Sequence, residues 1–506
     1  MLPQHLKAEL EREFNLVCFE DLASVRSQHG AIFRLFRSLR VEHFEAGQRL
    51  VFYTTHIVDQ LFIDHIQRAA ARVDISNFFI LMVSPYDLAP MLYAANQRFG
   101  YDSVTIQSRI MPIDQSRDWP DSGFADVSHL CPLPFMQAMT LQDGDIRPCC
   151  KFKNTMGNIQ KQDIQTTFHG REFRDLRQQM ISGQAPAACE TCWHVENQGC
   201  TSLRQLAIDK YGDMLDQQWL DQPAIVDFSW SPATLCNFSC RICSSRASTS
   251  IAAEEIKWSS DSAHRDSLRY QIKVTNNNDL QDNVIEQILS MKQLRFLHIL
   301  GGEPLLWPKF SRLIELLVDQ GLASQIALEL NTNVSLFPHD LLSFIQHNFA
   351  SLEILLSIDN VGARFELERG GEWSKILHHA KAFAALKNET TKIKLCTTVN
   401  LQNVLYLNDV VTLAQSLDVD VLWWYLEQPD FLSIDQATSA MQSEIISRYL
   451  DHGIEELHWI AERVANNTPV SGQAFLDYVH RMDHRRNQKF TNTHPEAYRA
   501  MSGRIY

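Results

Sequence analysis

The chain has 506 residues, of which 45% are hydrophobic, with 19 glycines and 17 prolines, and this composition predicts a globular protein of two to four domains. Its formal net charge is -14 and it has no dense run of Lys or Arg, which disfavours nucleic-acid binding because such binding needs a clustered basic face. It also has no run of about 18 apolar residues, so we expect no membrane span.

The N-terminal stretch, MLPQHLKAELEREFNLVCFED, is charged throughout and lacks the apolar core of a secretory signal. Without export, the 11 cysteines are better explained by metal binding or catalysis than by disulfides. We therefore expect a cytoplasmic protein that uses its thiols for chemistry.

Residues 1–125 predict a small α/β region of unknown role. Two β-rich runs, RLVFYTT (49–55) and FFILMV (78–83), flank an amphipathic helix, IVDQLFIDHIQRAAARV (57–73). No motif with recognisable chemistry occurs in this region. Its single cysteine, Cys18, fits a small buried hydrophobic residue.

Residues 126–215 form a cysteine-rich segment. Cys131 and Cys149 stand in a C-x12-G-x4-C pattern with Gly144, which is typical of a hairpin with glycine in its turn, and Cys189 and Cys192 follow as C-x2-C. Between the pairs, an apolar stripe and two stop signals predict a helix: Phe173, Leu176, Met180, Gly183 and Pro186. Four thiolates are enough for one iron–sulfur cluster, and they satisfy a structural zinc site equally well.

Two further cysteines leave this ligand set open. Cys150 is adjacent to Cys149 and could replace it, because only one of the two is needed. Cys200 has no assigned partner, so it fits a further cluster ligand, a reactive thiol or simply a structural cysteine.

Residues 216–432 alternate short β-rich runs with amphipathic helices, the pattern of an α/β protein. The predicted strands are 224–230, 294–300, 325–331, 352–359, 392–399 and 420–426. The alternation predicts a parallel sheet with right-handed crossovers, and six such units are too few for a closed eight-stranded barrel. We therefore expect a partial (β/α)6 barrel with functional loops at the carboxyl ends of its strands.

The loop after the first of these strands, LCNFSCRICSS (235–245), holds Cys236, Cys240 and Cys243 in a C-x3-C-x2-C pattern. A structural zinc site needs four ligands, usually in two pairs, and no fourth cysteine stands at matching spacing. Three thiolates on one short loop instead suit an iron–sulfur cluster that leaves one iron open to another ligand.

The second strand runs directly into Gly301, Gly302, Glu303 and Pro304, and paired glycines allow the main chain to approach a ligand closely. The alternative is an ordinary strand-to-helix turn. Polar residues also follow the later strands, where helix caps or loop hydrogen bonds explain them equally well: Asn331, Asn333, Ser357, Asp359, Arg369 and residues 397–400.

Residues 433–506 predict a C-terminal helical extension that either packs against the barrel or forms a solvated cap. Its H-x3-H pair, His480 and His484, lacks a third ligand, so a solvated helix face is the better explanation. At the last strand, Tyr425 and Glu427 are candidates to line a pocket. Trp423 and Trp424 fit core packing.

The cysteine loop and the GGEP motif, in this order on the first two strands, resemble the radical SAM superfamily. The resemblance implies that Cys236, Cys240 and Cys243 bind a [4Fe-4S] cluster and that S-adenosylmethionine (SAM) occupies its fourth iron. The implied SAM contacts are the GGEP residues, the strand-end Asn333, and a Ser-x-Asp strand end with an Arg-Gly turn: Gly301, Gly302, Glu303, Pro304, Asn333, Ser357, Asp359 and Arg369.

The earlier cysteine set resembles the twitch domain, a shorter relative of the SPASM domain, placed here before the barrel rather than after it. The resemblance implies a second, auxiliary [4Fe-4S] cluster on Cys131, Cys149, Cys189 and Cys192. It also implies an electron donor such as flavodoxin or ferredoxin. Enzymes of this kind often modify ribosomally made peptides, while others act on carbohydrates or other small metabolites.

The resemblance therefore predicts an enzyme that cleaves SAM reductively to a 5'-deoxyadenosyl radical, which abstracts hydrogen from a substrate, with a peptide as the first choice. Two other classes stay open: a non-catalytic iron–sulfur or zinc protein, and an enzyme whose cluster is purely redox. The intact GGEP motif and the three loop cysteines disfavour the first of these, because a degenerate binding protein has no need for both.

Overall fold

The computed structural model describes residues 79–84, 105–110, 129–197, 202–211, 217–451 and 454–503. These residues fall into two compact units. The first contains the described residues up to 110 together with 193–197 and Ser202, and the second contains 129–192 and the described residues from 203 onward.

The first unit contains a parallel strand pair. Strands β1 (Phe79–Ser84) and β2 (Thr105–Ile110) pair with Phe79 opposite Thr105. β1 matches the strand predicted at 78–83, whereas the sequence patterns do not predict β2. The strand predicted at 49–55 and the helix predicted at 57–73 lie outside the described residues.

The second unit is built on one nine-stranded sheet. Its strands are β3 Gln137–Thr140, β4 Asp145–Arg147, β5 Gly157–Asn158, β6 Asp227–Trp230, β7 Phe296–Ile299, β8 Ala327–Thr332, β9 Ser351–Ser357, β10 Thr391–Val399 and β11 Asp420–Tyr425. They lie side by side in the order β11-β10-β9-β8-β7-β6-β3-β4-β5.

Strands β6 to β11 are parallel and neighbour one another in chain order. All six strands predicted between 224 and 426 are confirmed, and their ends differ from the prediction by at most three residues. Sequential neighbours are what right-handed crossovers between parallel strands produce. The closure of this sheet into a partial barrel stays a prediction.

The cysteine-rich segment joins the same sheet. β3 runs parallel to β6 with Ala138 opposite Phe228, and β4 returns antiparallel to β3. Gly144, in the turn between them, has φ +85, a left-handed conformation that glycine adopts without strain, and the predicted hairpin is confirmed. The predicted segments 126–215 and 216–432 therefore share one hydrogen-bonded ladder.

The α-helices of the described residues connect and follow these strands. Their bounds are α1 Leu133–Met136, α2 Ile164–Phe168, α3 Arg171–Ile181, α4 Glu190–Asn197, α5 Leu203–Tyr211, α6 Gln217–Asp221, α7 Thr249–Trp258, α8 Ser262–Thr275, α9 Asn278–Ser290, α10 Phe310–Asp319, α11 His339–Asn348, α12 Gly362–Arg369, α13 Trp373–Ala384, α14 Leu407–Leu417, α15 Ser439–Ile446, α16 His458–Ala465, α17 Gln473–Arg486, α18 Phe490–Thr493 and α19 Pro495–Ser502. Within the described ranges, no helix is long and apolar enough to cross a bilayer.

The predicted helix boundaries follow from apolar spacing and stop signals. α3 buries the predicted stripe of Phe173, Leu176 and Met180, and Gly183 follows it with φ +76. α10 likewise buries one apolar stripe and is followed by Gly321 with φ +69. Both helices therefore end where glycine can adopt the left-handed conformation.

Residues 259–280, whose polar composition predicts a surface insertion in the first crossover, form helix α8 and the start of α9. The side chain of Asp261 caps α8 by accepting from Ala263 and His264 N–H groups. The side chain of Asn277 caps α9 in the same way. α8 buries only Leu268, which explains why its composition resembles that of a loop.

The C-terminal helices pack against the segment that follows β10 instead of forming a solvated cap. One core cluster unites buried side chains between 399 and 411 with buried side chains between 432 and 501. Thr438 Oγ1 donates to the Ala500 carbonyl at 2.7 Å, and the Tyr449 hydroxyl donates to the Val404 carbonyl. Of the two alternatives for this extension, packing is therefore the correct one.

Candidate functional site

The three-cysteine loop follows β6 and is attached to the start of α7. The Cys236 N–H donates to Thr249 Oγ1 at 3.2 Å, and Ser250 Oγ donates to the Cys236 carbonyl at 2.6 Å. The Thr249 N–H donates to the Thr234 carbonyl at 2.8 Å. These contacts fix the chain on both sides of the first cysteine.

The three thiols of this loop lie within electrostatic range of one another. Burial raises the pKa of Cys240 to about 12 and that of Cys243 to about 11, and it also raises the pKa of Cys236. Arg369 lowers the pKa of each thiol, since its positive charge favours the thiolate. Iron binding therefore has to displace the thiol protons, and the adjacent guanidinium favours that step.

The GGEP motif lies against the backbone just before the first loop cysteine. The N–H groups of Gly302 and Glu303 donate to the carbonyls of Ala233 at 3.0 Å and Leu235 at 2.8 Å. A Cβ atom on Gly302 would lie 2.3 Å from the Leu235 oxygen, and one on Gly301, which has φ +117, would lie 2.5 Å from the Ala233 oxygen. The glycines do permit a close approach, and the partner that approaches them is the cysteine loop.

Glu303 ties the end of β7 to the end of β8. Its carboxylate accepts from the Leu305 N–H at 3.0 Å, from Thr332 Oγ1 at 3.0 Å and from the Asn333 N–H at 2.6 Å. Burial raises the pKa of Glu303 to about 7, while these donors oppose the rise by stabilising the carboxylate. Pro304 then opens a short 3-10 turn, Pro304–Leu306.

Asn333 links the end of β8 to the cysteine loop. Its Nδ2 donates to Asn237 Oδ1 at 2.9 Å and lies 3.7 Å from Cys236 Sγ. Ser335 Oγ also donates to Asn237 Oδ1, at 3.3 Å. The structure therefore brings the predicted residue Asn333 directly against the first cysteine of the loop.

Asp359 and Arg369 form a buried ion pair beside the loop. Arg369 Nη1 donates to Asp359 Oδ2 at 2.5 Å, and the Thr398 N–H donates to Asp359 Oδ1 at 2.8 Å. Burial lowers the pKa of Arg369, but the charge and hydrogen bond of Asp359, together with the charges of Cys240 and Cys236, outweigh burial and raise the pKa above its ordinary value. Cys240 Sγ lies 3.8 Å from the Arg369 carbonyl oxygen, so the pair contacts the second loop cysteine.

Ser357 stands apart from this network. It ends β9, opposite Cys396 of β10 in register, and among the described residues no hydrogen bond links it to the loop or to the ion pair. Cys396 is 7% exposed and burial raises its pKa to about 12, which confirms it as a small buried residue.

The auxiliary cysteines come together beside the β3–β4 hairpin. Burial raises the pKa of Cys131 to about 12, and Cys189 and Cys192 are close enough for their charges to raise it further. The Lys153 N–H donates to the Ala188 carbonyl at 3.3 Å, which joins the loop after β4 to the C-x2-C turn. The four predicted ligands therefore share one neighbourhood.

Cys149 and Cys150 differ in their surroundings. Burial raises the pKa of Cys149 well above its ordinary value, and Cys131, Cys150 and Cys189 add to that rise. Cys150 is the more exposed of the two; burial raises its pKa, the charge of Lys151 opposes that rise and the charge of Cys192 adds to it. Cys18 and Cys200 lie outside the described residues.

Side chains that bind one metal ion have to lie closer together than side chains that only influence each other's pKa. In the ranges that the structure describes, no three His, Cys, Asp or Glu side chains lie close enough to hold one metal ion together. His480 Nε2 lies 2.9 Å from the Tyr498 hydroxyl, so a nearby tyrosine explains this member of the H-x3-H pair.

Sequence reasoning missed a polar row on the face of the sheet opposite the apolar core. His298 Nε2 lies 2.6 Å from Asn331 Oδ1 and 3.2 Å from Glu329 Oε1. Lys394 Nζ lies 2.5 Å from Glu353 Oε1 on the neighbouring strands. The alternation of apolar and polar residues in the sequence ALELNT could have predicted this row, because β8 alternates buried and half-buried residues in the same way.

Residues 131–193 match a protein-family model described as SPASM, an iron–sulfur cluster-binding domain. The matched range contains the four predicted auxiliary ligands, Cys131, Cys149, Cys189 and Cys192, as well as Cys150. The predicted similarity of this segment to a SPASM-type iron–sulfur domain is confirmed. Its assignment to the twitch form stays a prediction.

Among solved structures, the chain is similar to native anSMEcpe with bound AdoMet and Cp18Cys peptide, at 16% identity and a TM-score of 0.32, over 48% of this chain and 62% of that one. It is also similar to Streptococcus suis SuiB bound to precursor peptide SuiA, at 13% identity and a TM-score of 0.30, over 58% of each chain. The chain spans less than two thirds of either structure. No curated protein matches it.

Proposed function

We propose that this chain is a radical SAM enzyme in which Cys236, Cys240 and Cys243 bind a [4Fe-4S] cluster and SAM occupies the open iron. One observation supports the proposal most. The three-cysteine loop after β6 is hydrogen-bonded to the GGEP motif after β7, and both lie at the carboxyl ends of parallel strands. A three-thiol donor set fits a cluster with one open iron.

When bound, the cluster and SAM supply reductive cleavage of the sulfonium and the 5'-deoxyadenosyl radical that abstracts hydrogen from a substrate. The chain orients the thiols through Thr249 and Ser250, and Arg369 favours their deprotonation. Asn333 fixes the loop through Asn237.

We place the SAM contacts at the same strand ends. The candidates are Gly301, Gly302, Glu303, Pro304, Asn333, Ser357, Asp359 and Arg369. Because the N–H groups of Gly302 and Glu303 already donate to the backbone carbonyls of Ala233 and Leu235, any SAM contact of this motif uses its other groups. Arg369 Nε is buried without a hydrogen-bond partner among the described residues, so it is available to a bound ligand.

We assign a second [4Fe-4S] cluster to Cys131, Cys149, Cys189 and Cys192. The family match over residues 131–193 supports an iron–sulfur cluster in preference to zinc. The proximity of Cys149 to both Cys131 and Cys189 supports Cys149 over Cys150 as a ligand.

We further propose a peptide substrate, an electron donor of the flavodoxin or ferredoxin type, and a cytoplasmic location. The support for the peptide is the SPASM match, since the enzymes that this segment resembles often modify ribosomally made peptides. A carbohydrate or other small metabolite is the alternative substrate. A short precursor peptide encoded beside the gene would favour the peptide.

The test is anaerobic purification, reconstitution with iron and sulfide, and measurement of iron content together with reductive SAM cleavage. The proposal expects about eight irons and formation of 5'-deoxyadenosine, with cleavage lost in Cys236→Ala. Cys396→Ala is the control, because it changes a buried thiol outside both sets of proposed ligands. It should keep the iron content and the SAM cleavage of the wild type. A well-formed reduced loop cluster that leaves SAM intact would contradict the proposed SAM-cleaving activity. About four irons with bound zinc and intact cleavage would reassign the auxiliary set to structure.

A further inference from the structure

Arg241 lies inside the three-cysteine loop, between Cys240 and Cys243, and its side chain is completely buried at 0% exposure. A buried guanidinium needs a charge partner because desolvation of an isolated charge is costly. The loop itself contains no carboxylate between residues 235 and 245. The partner comes from the far end of the chain.

The guanidinium of Arg241 is held by the last helices. Its Nη2 donates to Asp483 Oδ1 of α17 at 2.6 Å and to Gln488 Oε1 at 2.9 Å. The other carboxylate oxygen, Asp483 Oδ2, accepts from the Phe490 N–H at 2.7 Å. Asp483 therefore balances the charge of the loop arginine and fixes the start of α18 at the same time.

Both peptide groups of Arg241 are also anchored from outside the loop. Its N–H donates to the Glu368 carbonyl at 2.6 Å, and its carbonyl accepts from the Tyr478 hydroxyl of α17. The Glu368 side chain accepts in turn from His494 Nε2 at 2.7 Å, where α19 begins. Residue 241 is thus held at its side chain, its N–H and its carbonyl; the C-terminal segment makes the side-chain and carbonyl contacts directly, and His494 contacts the side chain of Glu368, whose carbonyl accepts from the N–H.

We propose that helices α17 to α19 are a positioning element of the cluster loop and that Asp483, acting through Arg241, sets the reduction potential of the cluster. The inference rests on the proposed function only in that it assigns a cluster to the three loop cysteines. Asp483 and Arg241 are positioning residues, since neither needs to contact SAM or the substrate.

The physical reasoning concerns charge. Reduction adds one negative charge to a cluster, so an uncompensated cation nearby favours the reduced form. In the wild type, Asp483 compensates Arg241 at 2.6 Å. Asp483→Asn keeps the shape and leaves the guanidinium charge uncompensated, so the potential should become more positive. Gln488→Glu adds a negative charge beside the same guanidinium, so the potential should become more negative.

The test compares these variants by redox titration of the loop cluster, and electron paramagnetic resonance monitors the titration. Relative to wild type, Asp483→Asn should raise the ratio of reduced to oxidised cluster about tenfold at a fixed potential, equivalent to a shift of about 59 mV for one electron. Asp477→Asn is the matched control, because Asp477 lies on the same helix and bonds only the exposed Gln473 side chain among the described contacts. It should leave the potential unchanged.

A charge-cancelling variant separates electrostatics from geometry. Arg241→Gln combined with Asp483→Asn removes both charges and should return the potential toward the wild-type value, although the ion pair is gone. Should Asp483→Asn fail to fold, Gln488→Glu still tests the predicted direction of the shift in reduction potential. Equal potentials for Asp483→Asn, Gln488→Glu and Asp477→Asn would overturn the proposal.

A second readout uses the metal-free protein. If the C-terminal helices position the loop, iodoacetamide should alkylate Cys240 about tenfold faster in Asp483→Asn than in Asp477→Asn, because this buried thiol becomes exposed more often. Equal alkylation rates would contradict the positioning role. If the wild-type protein binds the loop cluster but cleaves no SAM, while Asp483→Asn still shifts the potential, the proposed enzyme activity is refuted and this inference stands.

Discussion

The two cysteine regions of this protein are held by different kinds of contact. The auxiliary set is fixed largely by neighbours in the chain, through the turn at Gly144, the β3–β4 pairing and the bond from Lys153 to Ala188. The three-cysteine loop is fixed by residues that are far away in sequence, among them Asn333, Arg369 and Asp483.

This difference explains why the two regions are unequally recognisable. Local determinants leave a dense pattern, and a family model matches residues 131–193. The loop offers only its cysteine spacing and the GGEP motif, while the groups that hold it are spread from residue 303 to residue 494. A short motif can therefore mark a site whose geometry depends on the whole second unit.

The largest effect should come from the contact between GGEP and the loop. In Gly302→Ala the new Cβ would lie 2.3 Å from the Leu235 oxygen, so the loop has to move. We expect a loss of about 3 kcal/mol in stability and about 100-fold in SAM cleavage, since a displacement of about 1 Å misaligns reacting groups to that degree. Denaturant unfolding and 5'-deoxyadenosine formation measure the two effects.

Gly321→Ala is the control for this prediction. No atom lies within 4 Å of a Cβ at Gly321, although its φ of +69 costs the variant about 1 kcal/mol. It should keep SAM cleavage. A Gly302→Ala protein that cleaves SAM at the wild-type rate would show that the loop tolerates displacement at this contact.

A variant of the auxiliary region should lose stability and iron without affecting the three-cysteine loop. Arg177 is 5% exposed, and it donates through Nε to the Pro134 carbonyl and through Nη2 to the Phe168 carbonyl, both at 2.8 Å. Arg177→Met leaves two buried carbonyls unsatisfied, which should cost about 3 kcal/mol. We expect the loss of about four irons with SAM cleavage at the loop retained. Iron analysis and unfolding check this result.

Arg171→Met provides the comparison on the same helix, because that side chain is 83% exposed and should change stability by less than about 0.5 kcal/mol. If Arg177→Met removes SAM cleavage together with the auxiliary irons, the two cysteine regions are coupled and the contrast between them is weaker than the contacts indicate.

A smaller effect should appear in the pH dependence of stability. Burial raises the pKa of Glu303 to about 7 in the folded protein, so the folded state binds this proton more tightly than the unfolded chain does. The resulting contribution is complete below the ordinary pKa of a glutamate and is lost as pH rises through about 7. Between about pH 5.5 and about pH 8, the wild type should lose about 2 kcal/mol that Glu303→Gln does not lose.

Urea unfolding of both proteins at the two pH values measures this difference. Parallel stability curves for wild type and Glu303→Gln would mean that Glu303 does not titrate in this range.

The smallest effect should come from the ion pair that joins the auxiliary region to the chain just after β11. Lys151 Nζ lies 2.6 Å from Glu427 Oε1, with side-chain exposures of 25% and 42%, and the Tyr425 hydroxyl also donates to that oxygen at 2.9 Å. A double-mutant cycle with Lys151→Met and Glu427→Gln should give a coupling of less than about 1 kcal/mol, because water screens the pair. A coupling of about 3 kcal/mol would make this contact a main connection between the auxiliary region and the end of β11.

The sequence predicts the strands well, because β-rich runs such as LEILLSID have few competing interpretations in a βα alternation. It does not predict that β3 pairs with β6, since parallel pairing between distant segments leaves no local signal. The role of Arg241 also leaves no local signal, because its partner Asp483 lies 242 residues away in the sequence. The sequence predicts that Gly301 and Gly302 permit a close approach, but it does not predict that the backbone of Ala233 and Leu235 lies against them.

The pairing of β3 with β6 has a consequence for how this protein can be divided. β6 uses one edge for β7 and the other for β3, so a fragment that starts at residue 216 would leave four consecutive residues, Asp227–Trp230, with a bare main-chain edge. Such an edge is a template for pairing with another chain. That isolated fragment should therefore self-associate through this strand. A rearranged chain that lost residues 126–215 would need a new neighbour for β6 in order to stay monomeric.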